Sequence, residues 1–185
     1  MIKVAIVGNI ASGKSTVEMF LREKGFKVYD TDIIAHEILA TSDDVQKEFG
    51  TFDRKKIAKI VFSDSSKLKI LESIIHPKVK KELEKIFISN EKVVFISVPQ
   101  LFEAGFDNLF DKIIYIIADA RLRKERIINR NKLTAEEAQM RIDAQSEINK
   151  IEKSDFIIEN NGTIEDLRLK VYEILNMILD INYNE

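Results

Sequence analysis

Gly8-Asn9-Ile10-Ala11-Ser12-Gly13-Lys14-Ser15, followed by Thr16, fits the phosphate-cradling pattern G-x-x-x-x-G-K-[ST] at every fixed position. Ahead of it, Val4-Ala5-Ile6-Val7 has the length and composition of a strand buried on both faces. Behind it, Val17, Phe20 and Leu21 recur at helical spacing, and Gly25 stands where a left-handed cap ends a helix. A loop so placed works through its backbone: successive N–H groups turn inward on a polyphosphate, and the positive end of the helix adds to the attraction. The spacing predicts contacts with a nucleoside triphosphate from Gly8, Ala11, Ser12, Gly13, Lys14, Ser15 and Thr16. Lys14 then reaches the outer phosphates, and Ser15 offers a hydroxyl to a magnesium ion between the β- and γ-phosphates.

Beyond the loop, Phe26 to Asp30 reads as a short second strand, and Asp32 opens a helical pattern through Ile33, Ile34, Ile38 and Leu39. From about Ala40 to Asn90 the chain is rich in lysine, glutamate and serine. Its apolar residues are spaced for several short helices: Ile57, Ile60 and Val61; Leu68, Leu71, Ile74 and Ile75; Val79, Leu83 and Ile86. Val93 to Val98, stopped by Pro99, and Lys112 to Ile117 are strong strand patterns, and Phe156-Ile157-Ile158 supplies a fifth. A last amphipathic helix carries Ile164, Leu167, Val171, Ile174, Leu175 and Ile178 on one stripe. Strands separated by helices predict an α/β fold with a five-stranded parallel sheet, helices on both faces and ligands beyond the strands' C-terminal ends.

Composition narrows the function. The 185 residues contain no linker-like stretch, and 29 Lys+Arg against 31 Asp+Glu give a formal net charge of −2, which speaks against a bulk electrostatic grip on nucleic acid. Absence of cysteine excludes a disulfide framework, a thiol nucleophile and cysteine-ligated zinc. No apolar run approaches the ~20 residues of a membrane span, and the N-terminus enters the first strand without a signal-like region. The expectation is a soluble cytoplasmic protein with no nucleic-acid or membrane partner; oligomeric state is left open, with a monomer compatible. Asn161-Gly162-Thr163 matches a glycosylation acceptor only in a secreted chain and is set aside.

The reaction must come from what converges on the γ-phosphate. Asp30 and Asp32, with Thr31 between them in an extended segment, are expected to point the same way, toward the loop. The plainer reading makes Asp32 the N-cap of the following helix, and one aspartate can do both. A carboxylate that orients an acceptor hydroxyl and takes its proton is what phosphoryl transfer to an alcohol requires, so Asp32 is the candidate catalytic base. Arg123, Arg126 and Arg130, three and four apart, share a helix face and can deliver guanidinium groups to one volume. The alternative for them is a solvated, salt-bridged helix. The third strand ends Ser97-Val98-Pro99, without the usual second magnesium-binding aspartate. That leaves magnesium to Ser15 and water, with Asp32 as a further candidate. Asn131-Lys132-Leu133-Thr134 lacks the terminal aspartate of a guanine-recognition motif, and His36 and His76 have no metal-ligand spacing.

Taken in order, these residues resemble the dephospho-coenzyme A kinases. The matching elements are Gly8 to Thr16, Asp30-Thr31-Asp32 with Ile34-Ala35, Phe49-Gly50, Asp53-Arg54, Val61-Phe62 and His76-Pro77. They continue with Pro99 to Glu103, Arg126 with Arg130, Arg141-Ile142-Asp143-Ala144-Gln145, and Asp155 to Gly162. The resemblance implies transfer of the γ-phosphate of ATP to the 3′-hydroxyl of the ribose of dephospho-coenzyme A, with Mg2+. It also implies a nucleotide-binding core (1–30, 91–119 and 151–185), a helical coenzyme A-binding insertion (31–90) and a helical lid (120–150). Asp32, Lys14 and Arg130 are then the catalytic residues. Arg126 and Asn160 join the ATP site, Asn160 to Gly162 lying near the adenine, and Asp30, Asp32, His76 and Arg141 bind the acceptor.

Three departures stand out. Asn9 and Ala11 occupy positions where the family commonly has glycine, His36 stands where it usually has arginine, and the segment between Gly50 and Asp53 is short. A nucleoside or nucleotide kinase of the same fold is the alternative enzyme, set apart by the long insertion. A non-catalytic P-loop regulator is the alternative from another class, and it has no need of Asp32.

Overall fold

The computed structural model describes residues 1–145 and 150–181; residues 146–149 of the expected lid and 182–185 of the expected core lie outside the described residues. The chain divides into two compact units, residues 1–29 with 91–185 and residues 30–90.

The first unit is built on the sheet. Its strands are β1 (Ile2–Gly8), β2 (Val28–Asp30, whose last residue opens the second unit), β3 (Val93–Ser97), β4 (Lys112–Ile117) and β5 (Phe156–Glu159). Their order is β2-β3-β1-β4-β5. β1 pairs in parallel with β3 and β4, and β4 with β5. The run Val4 to Val7 is almost wholly buried, as are Val93 to Ser97, because both faces of the central strands are covered. On one face Val4, Ile6, Phe95, Ile114 and Ile116 meet Val17, Phe20 and Leu21 of α1 (Lys14–Glu23) and the stripe of the last helix (Ile164–Ile181). α1 ends in a Schellman turn: Gly25 at φ +86° donates to the Arg22 carbonyl at 2.9 Å, and Phe26 to the Leu21 carbonyl at 3.1 Å.

The second unit is helical: α2 (Thr31–Thr41), α3 (Asp43–Phe49), α4 (Arg54–Ser63) and α5 (Ser65–Ile86). Here the sequence expectation needs two corrections. The groups from Leu68 to Ile86 form one 22-residue helix that runs through Pro77. Proline forgoes one i−4 hydrogen bond, but the row Ile75, Val79 and Leu83 is buried at i, i+4, i+8, and that continuous burial carries the helix past the break. The start of α2 also differs. Thr31 is already helical, and the N-cap is Asp30, extended at φ −131°, whose Oδ1 accepts from Asp32 N–H at 2.8 Å. Strand alternation therefore does not align the two carboxylates. Asp32 lies in the first helical turn, where its negative charge suits the helix dipole. At α5, Asp64 is the N-cap, and bonds from the Ser66 hydroxyl and the Lys67 and Ser66 N–H groups hold its carboxyl below the usual range.

The first unit continues with a helix pair, α6 (Ala120–Asn131) and α7 (Ala135–Asp143), before β5 and α8 (Ile164–Ile181). α7 begins with a capping box, Glu137 N–H donating to Thr134 Oγ1 at 3.2 Å and Thr134 N–H to Glu137 Oε2 at 2.8 Å.

Candidate active site

β1 delivers the loop. Gly8 closes the strand opposite Ile116, and a Cβ on it would come within 3.1 Å of the Ile116 carbonyl oxygen. At the far end Gly13 is left-handed, φ +100°, immediately before α1. A Cβ there would lie 2.1 Å from Asn160 Nδ2. Asn160 belongs to that position: its Nδ2 donates to the Ser12 carbonyl at 2.7 Å, and its own N–H to the Ile117 carbonyl at 2.8 Å. The end of β5 therefore braces the loop.

Arg126 braces it from α6. Nη1 donates to the Ala11 carbonyl at 3.2 Å and Nη2 to the Asn160 carbonyl at 3.1 Å, so one guanidinium spans loop and strand end. Its side chain is half-buried. Arg123, on the same helix, is buried at 4% exposure and donates to the Ala118 carbonyl, while Arg130 is exposed, its Nε donating to Asn131 Oδ1 at 3.1 Å. The three arginines thus do not share one environment. Arg141, in the last turn of α7, is exposed. Asn161 exchanges two hydrogen bonds with Asp119 across the loops that follow β5 and β4.

The loop's two unusual residues are each accommodated. Ala11 has φ +60°, a conformation that costs an L-residue on the order of 1 kcal/mol or more. Arg126 fixes its carbonyl, and Ala11 packs with Ile10 against Ile127, Ala138 and Ile142 of α6 and α7. Ile10 N–H donates to Gln145 Oε1 at 2.7 Å, tying the loop to the end of the helix pair. Asn9, 5% exposed, accepts from the hydroxyl of Tyr115 at 2.7 Å. Tyr115 lies in the middle of β4 and is fully buried, so its hydroxyl needs a partner, and the side chain at position 9 provides one.

That pair gives a first prediction. Tyr115→Phe takes a buried donor from Asn9 and is expected to cost about 1–3 kcal/mol of stability. In a double-mutant cycle with Asn9→Ala, the two losses are expected to be less than additive. Strict additivity in denaturant unfolding would show that the two side chains do not act through each other.

Lys14, the first residue of α1, donates through Nζ to Glu18 Oε1 at 2.9 Å and to the hydroxyl of Ser97 at the end of β3. The β1–β3 register, Ile6 beside Ser97, places that strand end next to the loop. Neither Glu18 nor Ser97 was singled out from the sequence as a partner of Lys14. The i, i+4 spacing from Lys14 to Glu18 was a legible signal, whereas Ser97 depends on strand order. Ser15 is exposed at the start of α1. Among the described residues no set of three His, Cys, Asp or Glu side chains gathers to hold a metal. The exposed Ser15 hydroxyl at the end of the loop fits a magnesium ion held largely by nucleotide oxygens and water. In the second unit, Asp30 and Asp32 form the capped start of α2, with Asp32 exposed, and His76 sits half-buried within α5.

Among the described residues, no helix is long and apolar enough to cross a membrane. The family model for dephospho-CoA kinase matches residues 2–166. A dephospho-CoA kinase of Fusobacterium nucleatum is 44% identical over 91% of this chain and 94% of its own. A solved protein from Thermus thermophilus superposes with TM-score 0.83 at 33% identity, covering 95% of this chain and 97% of that one. The dephospho-CoA kinase structure from Campylobacter jejuni superposes with TM-score 0.75 at 32% identity, covering 97% of this chain and 98% of its own. With its G-x-x-x-x-G-K-S loop on a parallel sheet and its sequence matched from the first strand to the start of the last helix, the chain belongs to the dephospho-CoA kinase family.

Proposed function

We propose that this protein transfers the γ-phosphate of ATP to the 3′-hydroxyl of the ribose of dephospho-coenzyme A, giving coenzyme A and ADP. The observation that carries this reading is the braced Gly8–Ser15 loop within a chain matched over residues 2–166 by the family model. The loop N–H groups and Lys14 hold the polyphosphate, with Gly8, Ala11, Ser12, Gly13 and Thr16 shaping the cradle, and Arg126 and Asn160 keeping it closed from behind. Ser15 would hold Mg2+, which would supply positive charge to offset that of the nucleotide phosphates. Asp32 orients the acceptor hydroxyl and receives its proton at the carboxylate, while Asp30 fixes the backbone at Asp32 through the cap bond. Arg130 stabilises the charge that builds on the transferring phosphoryl group. The helical unit, residues 30–90, contributes His76 to the coenzyme A side; residues 120–150 serve as lid, with Arg141 reaching the acceptor.

The test is ADP release with ATP and magnesium in the presence of dephospho-coenzyme A, adenosine, AMP or no acceptor, with the product's mass measured. Turnover with dephospho-coenzyme A alone, and a product heavier by one phosphate, is the expected result. Turnover only with a nucleoside or nucleotide would replace the substrate, and none with any acceptor would overturn the reading.

A further inference from the structure

Glu18 is a buried carboxylate that none of these steps employs. It is 5% exposed and sits on α1 one turn beyond Lys14. Its Oε1 accepts from Lys14 Nζ at 2.9 Å, and its Oε2 lies 3.7 Å from Arg22 Nη2. The Lys14 ammonium is thereby held between the Glu18 carboxylate and the Ser97 hydroxyl. Ser97 itself is fully buried.

A lysine that grips phosphate must leave this arrangement or share it. If Lys14 turns to a polyphosphate, the Glu18 carboxylate keeps only the longer approach of Arg22, and a buried charge deprived of its close partner is costly. Nucleotide binding then has to offset the loss of one charge-assisted bond. The third strand offers a hydroxyl rather than a carboxylate at its end, so Glu18 is the acidic group that the structure places on this lysine.

We propose that Glu18 is a built-in counter-charge that competes with nucleotide phosphates for Lys14 and so sets the affinity of the site for ATP. It is a positioning residue acting through Lys14. The proposal rests on the reading of Lys14 as the phosphate-binding lysine.

The experiment is a titration of the full chain with ATP and with adenosine by calorimetry, for the natural protein, Glu18→Gln and Glu18→Met. Glutamine keeps the shape and an acceptor but removes the charge, and methionine suits a buried site should glutamine fold poorly. Both are expected to bind ATP more tightly, on the order of tenfold, the scale of a hydrogen bond to a charged group. Adenosine, which has no phosphate, is expected to bind all three alike. In a Lys14→Met background, Glu18→Gln is expected to leave ATP affinity unchanged. Unchanged or weaker ATP binding in both single variants would overturn the proposal. Equal tightening without Lys14 would also overturn it, by showing that the carboxylate acts on phosphate directly. Failure of the natural protein to bind ATP at all would instead remove the reading beneath it.

Discussion

Asp32→Asn is expected to lower turnover with dephospho-coenzyme A by roughly 10²–10⁴-fold, the range for loss of an acid–base group, while leaving ATP affinity close to that of the natural protein. The substitution is nearly isosteric and falls on an exposed side chain in the first turn of α2. Its structural cost includes the favourable interaction of a negative charge with the helix N-terminus, about 0.3–1 kcal/mol. A 10²-fold loss corresponds to about 2.7 kcal/mol, so the catalytic and structural effects are separable by size. Asp30→Asn is the matched control. Asparagine caps a helix as well as aspartate does, so the bond to Asp32 N–H survives and turnover is expected to change far less. Single-turnover rates with saturating ATP decide the matter: near-normal transfer by Asp32→Asn would remove this residue from the chemistry.

The same two aspartates mark where sequence reasoning reached its limit. Either could cap the helix, and the spacing i, i+2 says nothing about which does, because an Asx side chain bonds the N–H two residues on only if its own backbone stays extended. Asp30 meets that condition by ending a strand of three residues. The strand, loop and helix from Ile2 to Glu23, by contrast, were legible. The loop's geometry follows from glycines and a lysine at fixed local spacing between a buried strand and a helix, and no distant residue is needed to recognise it. What braces the loop was not legible. Tyr115 stands in the aliphatic run Ile113 to Ile117, and nothing local announces that its hydroxyl will meet Asn9, 106 residues away. Asn160, Arg126 and Gln145 were visible as residues, but their bonds to the loop depend on the order β2-β3-β1-β4-β5, which hydrophobic patterns leave unspecified.

These long-range contacts also explain how the loop tolerates residues where glycine is more usual. An alanine at φ +60° is stable when its carbonyl and its methyl group are both fixed from outside, and Arg126 and the Ile127–Ala138–Ile142 cluster do so. An asparagine in a buried turn is stable when its amide oxygen has a donor. Contacts from sheet and helix pair together hold the loop's shape. They tie the loop to β4, to α6 and, through Gln145, to the segment after α7. Movement of the helix pair would therefore be felt at Ile10.

The glycine that remains at position 13 has no such substitute, and Gly13→Ala is expected to be the most damaging single-methyl change in the chain. Two costs combine. A left-handed φ of +100° strains any L-residue, and the new Cβ would sit 2.1 Å from Asn160 Nδ2. Gly25 separates these costs, since it is also left-handed, at φ +86°, but a Cβ there meets nothing within 4 Å. Gly25→Ala is therefore expected to lose only the strain, about 1–2 kcal/mol, with ATP affinity retained. Gly13→Ala must in addition displace an amide held at both ends, by the Ser12 carbonyl through its side chain and by Ile117 and Arg126 through its backbone. Pushing Asn160 aside breaks the brace, and the loop N–H groups lose their common focus. The expected outcome is several kcal/mol of destabilisation and a fall in kcat/KM of roughly 10²–10³-fold, comparable to losing an anion-binding donor outright. Asn160→Ala, introduced together with Gly13→Ala, removes the clash but not the brace's absence. It is expected to restore part of the stability in thermal unfolding and little of the activity. If the double variant recovered both, Asn160 would be an obstacle to the alanine and not a support for the loop.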